Sequence, residues 1–235
     1  MNTVIVIRHA QSEWNAENRF SGWANPALTQ KGMDDALEAA QFLRDAKYSF
    51  DTIYSSILVR AIKTAEIIKQ TLALDTAIQL DWRLNERHYG ALQGQNKQAK
   101  ADDVGEKQVW KWRRSYLEHP PKLSEEQHQQ QKDSELLRQV PADKVPYSEN
   151  LAETRERVSG FWREQVQPKL GNRNILLSAH GNTLRALLME LAQMSVEHIE
   201  SFEIPTSEPI AIDFDDQGRF SKCHYLRGDQ KLMLN

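Results

Sequence analysis

The sequence predicts a three-layer α/β fold, with a largely parallel central sheet flanked by helices, a C-terminal hairpin at the sheet edge and a helical or loop insertion over the site. Three observations predict it. Apolar runs without polar alternation, Val4-Ile5-Val6-Ile7 and Ile175-Leu176-Leu177, suit strands buried on both faces. Segments with apolar residues at helical spacing follow such runs, so strand and helix alternate along most of the chain. Near the end, Ile210 to Phe214 and Phe220 to Leu226 flank Asp215-Asp216-Gln217-Gly218, a turn signal that reads as a hairpin.

The elements follow in order. The first strand ends at Arg8-His9. After the Pro26 turn, Met33, Ala36, Leu37, Ala40 and Leu43 outline one face of a helix. Phe50 to Tyr54 is a second strand, leading directly into a helix marked by Ile57, Leu58, Ala61, Ala65, Ile68 and Leu72. A weaker third strand covers Ile78 to Leu80. From Trp82 to Gly94 neither period fits, as expected of a functional loop. A helix from about Leu151 to Val166, the strand Ile175 to Leu177 and a helix from Thr183 to about Met194 resume the pattern. The stretch from about 94 to 150 breaks the alternation and is poor in apolar residues, so it is expected to be a cap-like insertion in a single domain spanning 1–235. Within it, residues 124–135 carry no apolar side chain and are expected to form an exposed, mobile excursion.

Composition narrows the function. Lys and Arg total 30 against 33 Asp and Glu, a net charge of −3, which gives no broad positive field for nucleic acid. Cys223 stands alone, so no intramolecular disulfide forms and a reducing, cytoplasmic setting is expected; Cys223 itself is expected to pack in the last strand. No apolar run reaches the ~18 residues of a membrane span, and Val4 to Ile7 is too short for a signal sequence.

The chemistry concentrates at predicted strand ends. His9 closes the first strand and His180 follows the strand Ile175 to Leu177, and ligand crevices in open α/β sheets lie beyond the carboxyl ends of the strands. Arg8 accompanies His9, and the second strand adds Ser55, Ser56 and Arg60. Gly181, Asn182 and Thr183 open a helix whose free N–H groups face the same end. Two imidazoles, two guanidinium groups and hydroxyls on one rim make an anion site. A metal site is disfavoured, because the histidines lack a third ligand at suitable spacing and Arg8 and Arg60 repel a cation. A P-loop and a G-x-S-x-G elbow are absent. The stretch from Asp213 to Gly218 resembles the start of a calcium loop, but its twelfth position is His224 where a Glu is required. What remains is an imidazole acting as nucleophile on phosphorus, with guanidinium groups holding the equatorial oxygens and Glu86 or Glu13 moving the proton.

At Arg8-His9-Ala10-Gln11-Ser12-Glu13-Trp14-Asn15 the chain resembles the histidine phosphatase superfamily, and within it the phosphoglycerate mutases that depend on 2,3-bisphosphoglycerate. The stretches Glu17 to Trp23, Leu28 to Gly32, Arg60 to Thr64, Leu84 to Gly94, Trp112 to Arg114 and His180 to Ala186 extend the likeness over most of the chain. The run Asn85 to Gly94, Lys97 and Arg113-Arg114 are typical of the mutase branch. The resemblance implies that His9 becomes phosphorylated, that Arg8, Arg60, His180 and Asn15 bind the transferring phosphoryl group, and that Glu86 donates and accepts the proton. It also implies that Ser21, Gly22, Arg87, Tyr89, Lys97, Arg113, Arg114, Gly181 and Asn182 hold the rest of a phosphoglycerate. Trp110 and Trp112 are expected to be packing residues.

The implied reaction interconverts 3-phosphoglycerate and 2-phosphoglycerate, primed by 2,3-bisphosphoglycerate, with no metal, in a cytoplasmic homodimer or dimer of dimers. Four departures accompany the likeness. Ala10 stands where the family usually has Gly, so a methyl group would crowd the phosphate or forbid a positive φ. Gln11 replaces a common Glu. Ser207-Glu208 replaces a Gly and an apolar residue. The tail after Leu226 is short, and a shorter lid excludes water less well. A phosphatase on the same fold and a non-catalytic phosphate-binding protein are the alternatives.

Overall fold

A computed structural model describes residues 2–227. The short tail expected after Leu226 lies, from residue 228 onward, outside the described residues. The apolar run at the start forms β1 (Asn2–Arg8), the strand on which the sheet is centred. Next come α1 (Glu13–Ala16), α2 (Gln30–Asp45), β2 (Thr52–Ser55), α3 (Val59–Thr71) and β3 (Ile78–Leu80). Three helices without strands follow: α4 (Lys97–Val104), α5 (Glu106–Arg114) and α6 (Glu125–Lys132). The chain re-enters the sheet layers through α7 (Leu151–Phe161), β4 (Ile175–Ala179), α8 (Gly181–Ala192), α9 (Val196–Ser201), β5 (Pro209–Phe214) and β6 (Phe220–Tyr225).

The six strands lie in the order β3-β2-β4-β1-β5-β6. The first four are parallel, while β5 runs antiparallel to β1 and pairs with β6 as the edge hairpin. Side chains alternate between two apolar layers, as the pleat requires. Ile5, Ile7, Ile53 and Leu176 pack under α2 and α3, with Ala39, Ala40, Leu43, Ala65 and Ile68. Val4, Val6, Ile175, Leu177 and Ile212 pack on the opposite face under α7 and α8, with Val158, Phe161, Leu184 and Leu188. Cys223 belongs to that second layer and is buried.

Several expectations are corrected. In α2 the buried stripe is Ala36, Ala39, Ala40 and Leu43, whereas Leu37 is 42% exposed. Ala39 rather than Leu37 completes the i, i+3, i+4, i+7 face, because Leu37 lies a full 100° step beyond Ala36. The helix from Leu151 leaves α-helical geometry after Phe161 and continues as a π-helical turn, Trp162–Val166, with Trp162 against Phe214. Residues 124–135 are largely exposed, as expected, but most of them form a helix and His128 is buried. Ser124 and Gln127 form a capping box, and α6 is anchored by His128, which is buried, stacks on Tyr147 at 3.6 Å and donates from Nε2 to the Val145 carbonyl at 2.8 Å. A polar side chain does the anchoring there, which an apolar pattern does not register. Trp110 is 48% exposed, whereas Trp112 lies against the cluster of Phe20, Tyr89, Leu92 and Val109.

The segment between α9 and β5 is strapped to the end of β1. Arg8 Nη1 donates to the Ile204 carbonyl at 2.6 Å, and Ser207 N–H donates to the Arg8 carbonyl at 3.0 Å. Ser207 adopts φ +59° and is buried with its hydroxyl unpartnered. A left-handed L residue is strained by about 1–2 kcal/mol, which glycine avoids at the cost of a freer unfolded chain. Ser207→Gly is therefore expected to stabilise the protein by about 1 kcal/mol, raising the midpoint of thermal unfolding by ~2–4 °C in a calorimetric scan.

Candidate active site

Parallel pairing of β1 with β4 sets Arg8 beside Ala179, so the next residues, His9 and His180, leave the same sheet edge together. His9 N–H donates to the Ala179 carbonyl at 2.9 Å, extending the ladder by one bond, and the two imidazole centroids are 4.9 Å apart. Beyond this edge lies an open, solvent-filled cleft. Its walls include Arg8, His9, Asn15, Ser21, Gly22, Arg60, Glu86, Tyr89, Lys97, Arg113, Arg114, Gly181 and Asn182. His180 and Arg87 stand one layer behind. His180 is fully buried beside His9, and Arg87 is fully buried behind Tyr89, its guanidinium 4.7 Å from the ring centroid.

The hydrogen bonds assign the state of His9. Its Nδ1 lies 2.7 Å from the Ala10 carbonyl, an acceptor, so Nδ1 carries the proton. Nε2 is then an unprotonated lone pair, and Arg60 Nε–H donates to it at 3.3 Å. Burial, then the charges of Arg60 and Arg8, hold the pKa of His9 well below its ordinary value. A neutral imidazole with a free Nε2 is the form that attacks phosphorus. Ala10 does not take a positive φ: it is buried, and its N–H donates to Thr64 Oγ1 at 3.1 Å. Gln11 keeps a local role, its Oε1 accepting from the Thr29 hydroxyl at 2.9 Å.

His180 is polarised from behind by Ser56. Ser56 Oγ accepts from Leu58 N–H at 3.2 Å and lies 2.7 Å from His180 Nε2. This bond to Ser56 engages the Nε2 side of the ring and not Nδ1. That Nδ1 is buried without a partner. Burial, then Arg60 and His9, keep the imidazole neutral. Ser55, predicted beside Ser56 on the rim, is buried away from the cleft.

Arg60 is 1% exposed and spends its other donors on the loop opposite, Nη1 to the Ala24 carbonyl and Nη2 to that of Gly22, each at 2.8 Å. Burial pushes its pKa down to about 10, which still leaves it charged near neutrality. Gly22 has φ +52°, and a Cβ there would come 2.2 Å from Gln93 Oε1, so only glycine fits this turn.

Of the two carboxyl candidates, Glu86 lines the cleft and Glu13 is exposed on α1. Glu86 Oε1 accepts from Arg87 N–H at 2.8 Å and Asn182 N–H at 3.2 Å, which fixes the carboxylate at the wall. The loop behind it is clamped by polar bonds: the Glu86 carbonyl accepts from Trp23 Nε1 at 2.6 Å and Arg157 Nη2 at 3.0 Å, and Arg157 pairs with Glu149 out of solvent. With two short 3-10 turns, Trp82–Leu84 and Gly90–Leu92, these bonds hold the stretch from Trp82 to Gly94.

Four lining residues were not predicted: Arg19, Arg185, Glu203 and Ile204. Arg185 was legible in principle, since it lies three residues after Asn182 on the same helix face. It donates from Nη1 to Asn182 Oδ1 at 2.7 Å, and burial, with Arg114 and Arg87 nearby, pushes its pKa down to about 9. Nothing local in the sequence marks Glu203. Arg8 Nε, Ser21 Oγ and Arg185 Nε are buried without partners, donors that suit an incoming anion. Among the described residues no group of three His, Cys, Asp or Glu could hold a metal ion, and no helix is long and apolar enough to cross a membrane.

The sequence profile of the histidine phosphatase superfamily (branch 1) matches residues 4–133 and 122–225. The chain belongs to this superfamily. It is similar to curated 2,3-bisphosphoglycerate-dependent phosphoglycerate mutases. One from Glaesserella parasuis is 44% identical over 95% of this chain and 99% of its own length. Others from Histophilus somni and Haemophilus influenzae are 43% and 42% identical over the same shares. Among solved structures, a mycobacterial glucosyl-3-phosphoglycerate phosphatase aligns with a TM-score of 0.71 at 22% identity, covering 94% of this chain and 97% of that one. The alpha-ribazole phosphatase from Shigella flexneri aligns at 0.67 and 21%, covering 93% of each chain. At such identities the likeness shows the histidine phosphatase fold.

Two outcomes are expected. Ser56→Ala removes the hydrogen-bond partner of His180 Nε2 and should lower kcat/KM for the phosphoryl-transfer reaction about 10–100-fold, read in steady-state kinetics with folding checked by circular dichroism. His88, behind the cleft, is pushed by burial down to about 4 from an ordinary 6.5. Its unfolded form takes up a proton below pH 6.5 while its folded form does not, so the stability it contributes is complete above that pH and is lost as pH falls towards 4. His9 and His180 act in the same direction. Thermal unfolding followed from about pH 7.5 to about pH 5 should show a falling midpoint.

Proposed function

We propose that the protein interconverts 3-phosphoglycerate and 2-phosphoglycerate by way of a phosphorylated His9, as a cytoplasmic enzyme of glycolysis and gluconeogenesis. One observation carries the reading. The neutral His9 Nε2, with Arg8 and Arg60 beside it, lines the same cleft as a second cationic group, Lys97, Arg113 and Arg114, more positive charge than one phosphate needs. A ligand with two separated anionic groups satisfies both. The similarity to curated phosphoglycerate mutases supports the same substrate class.

In the mechanism, His9 Nε2 forms a bond to phosphorus as the bond from phosphorus to the substrate oxygen breaks, and Glu86 gives that oxygen a proton. In the reverse direction Glu86 takes the proton of a substrate hydroxyl, the hydroxyl oxygen bonds to phosphorus, and the P–N electron pair returns to Nε2. Arg8, Arg60 and Asn15 steady the equatorial oxygens of the transferring group, with His180 supporting His9 from behind. Ser21, Gly22, Tyr89, Lys97, Arg113, Arg114, Gly181 and Asn182 orient the remaining carboxylate and phosphate, and Arg87 supports Tyr89 from behind. The unpartnered donors and the surplus of cations also fit 2,3-bisphosphoglycerate, which when bound supplies the phosphoryl group that first loads His9.

An enolase-coupled assay on 3-phosphoglycerate, with free phosphate read in parallel, tests this. Turnover is expected to rise on addition of 2,3-bisphosphoglycerate and to fall at least about a thousandfold in His9→Ala. Glu86→Gln should lose about 10²–10⁴ in kcat. Phosphate release exceeding isomer formation would instead identify a phosphatase, and ligand binding without either reaction a phosphate-binding protein.

A further inference from the structure

Two carboxylates line the cleft, Glu86 and Glu203, and only Glu86 has a part in the reaction. Glu203 comes from the strap after α9 and forms an ion pair with Arg114 in the last turn of α5. The two partners are unlike: the Arg114 side chain is 14% exposed and that of Glu203 61%. Arg114 is a fixed wall of the cleft, disfavoured as a charge by its burial and by Arg113, Arg8 and Arg87 around it. Glu203 is a solvent-facing group on an unbranched side chain, while the backbone beside it is tied down by the bond from Arg8 to the Ile204 carbonyl. Without a ligand, the cation that would receive an outer anionic group already holds a carboxylate of the chain itself.

We propose that Glu203 is a specificity-determining residue, an internal anion that competes with the outer anionic group of the ligand for Arg114. The inference rests on the phosphoglycerate reading for the nature of that group. A ligand that stops at the His9 end of the cleft leaves the pair intact. One that carries a second anion must displace the Glu203 carboxylate from Arg114 and then bear its repulsion from the rim. Affinity for two-anion ligands is thereby held down, and product leaves faster for the same reason.

The test is calorimetric titration of unprimed enzyme, at low ionic strength, with inorganic phosphate and with 3-phosphoglycerate. Wild type, Glu203→Gln, Arg114→Gln and the double variant are compared. Glu203→Gln is expected to bind 3-phosphoglycerate about five- to tenfold more tightly, to change phosphate affinity less than about twofold, and to lose its advantage as salt is added. In the Arg114→Gln background the gain should vanish. Unchanged or weaker binding of 3-phosphoglycerate by Glu203→Gln would overturn the proposal. So would an equal gain for inorganic phosphate, or a gain that survives loss of Arg114. Isomer formation by the wild type reports separately: its absence with the binding pattern intact would overturn the mutase reading alone.

Discussion

The parallel register of β1 on β4 is the constraint from which the chemistry follows. Neither His9 nor His180 is placed by its own neighbours in sequence; each is delivered by a strand buried on both faces, and the ladder between those strands brings the rings to 4.9 Å. Because the side chains of β1 and β4 alternate between two apolar layers, a slip of one residue would exchange the layers and turn Ile5 and Ile7 into the wrong core. The packing that stabilises the sheet thus also fixes the spacing of the site. The antiparallel β5 on the other side of β1 returns the chain at the same edge, where the strap from Ile204 to Ser207 grips Arg8.

Burial makes this site electrostatically tense. The protein carries a net charge of −3, yet the cleft collects seven cationic side chains and only two carboxylates. Burial lowers the pKa of Arg8, Arg60, Arg114 and Arg185 alike, with Arg60 at about 10 and Arg185 at about 9. Guanidinium groups remain charged under such pressure where an imidazolium is neutralised. The histidines are lowered by the same burial and the same charges and, starting from a much lower pKa, stay neutral, which is what an imidazole nucleophile requires. Donors left without partners in a dry wall cost stability, and an anion relieves that cost, so preorganisation and affinity have one origin.

Much of this was legible in the sequence. The strand ends Arg8-His9 and His180, the helix opening at Gly181-Asn182, and Arg60 in the first turn of α3 could be placed on one rim because strand and helix periods are local and ligand crevices in such sheets have a fixed side. Lys97, Arg113 and Arg114 came from motif likeness, since nothing in their own periodicity distinguishes a binding face from a solvated one. Glu203 was invisible, because its meaning depends on Arg114, far away in the chain. The helix Glu125–Lys132 was missed because a buried imidazole on a carbonyl anchors it, and apolar patterning is blind to such a bond.

The sequence by itself determined the alternating α/β layers, the two histidines at strand ends and the cationic side chains beside them, for each follows from residue types over a few turns or strands. Tertiary structure alone decided which imidazole nitrogen is free, which of Glu13 and Glu86 faces the cleft, that His180 and Arg87 stand behind the wall, and that Glu203 occupies Arg114. These are questions of hydrogen-bond direction and burial between distant segments, and such contacts exist only once the sheet has brought the segments together.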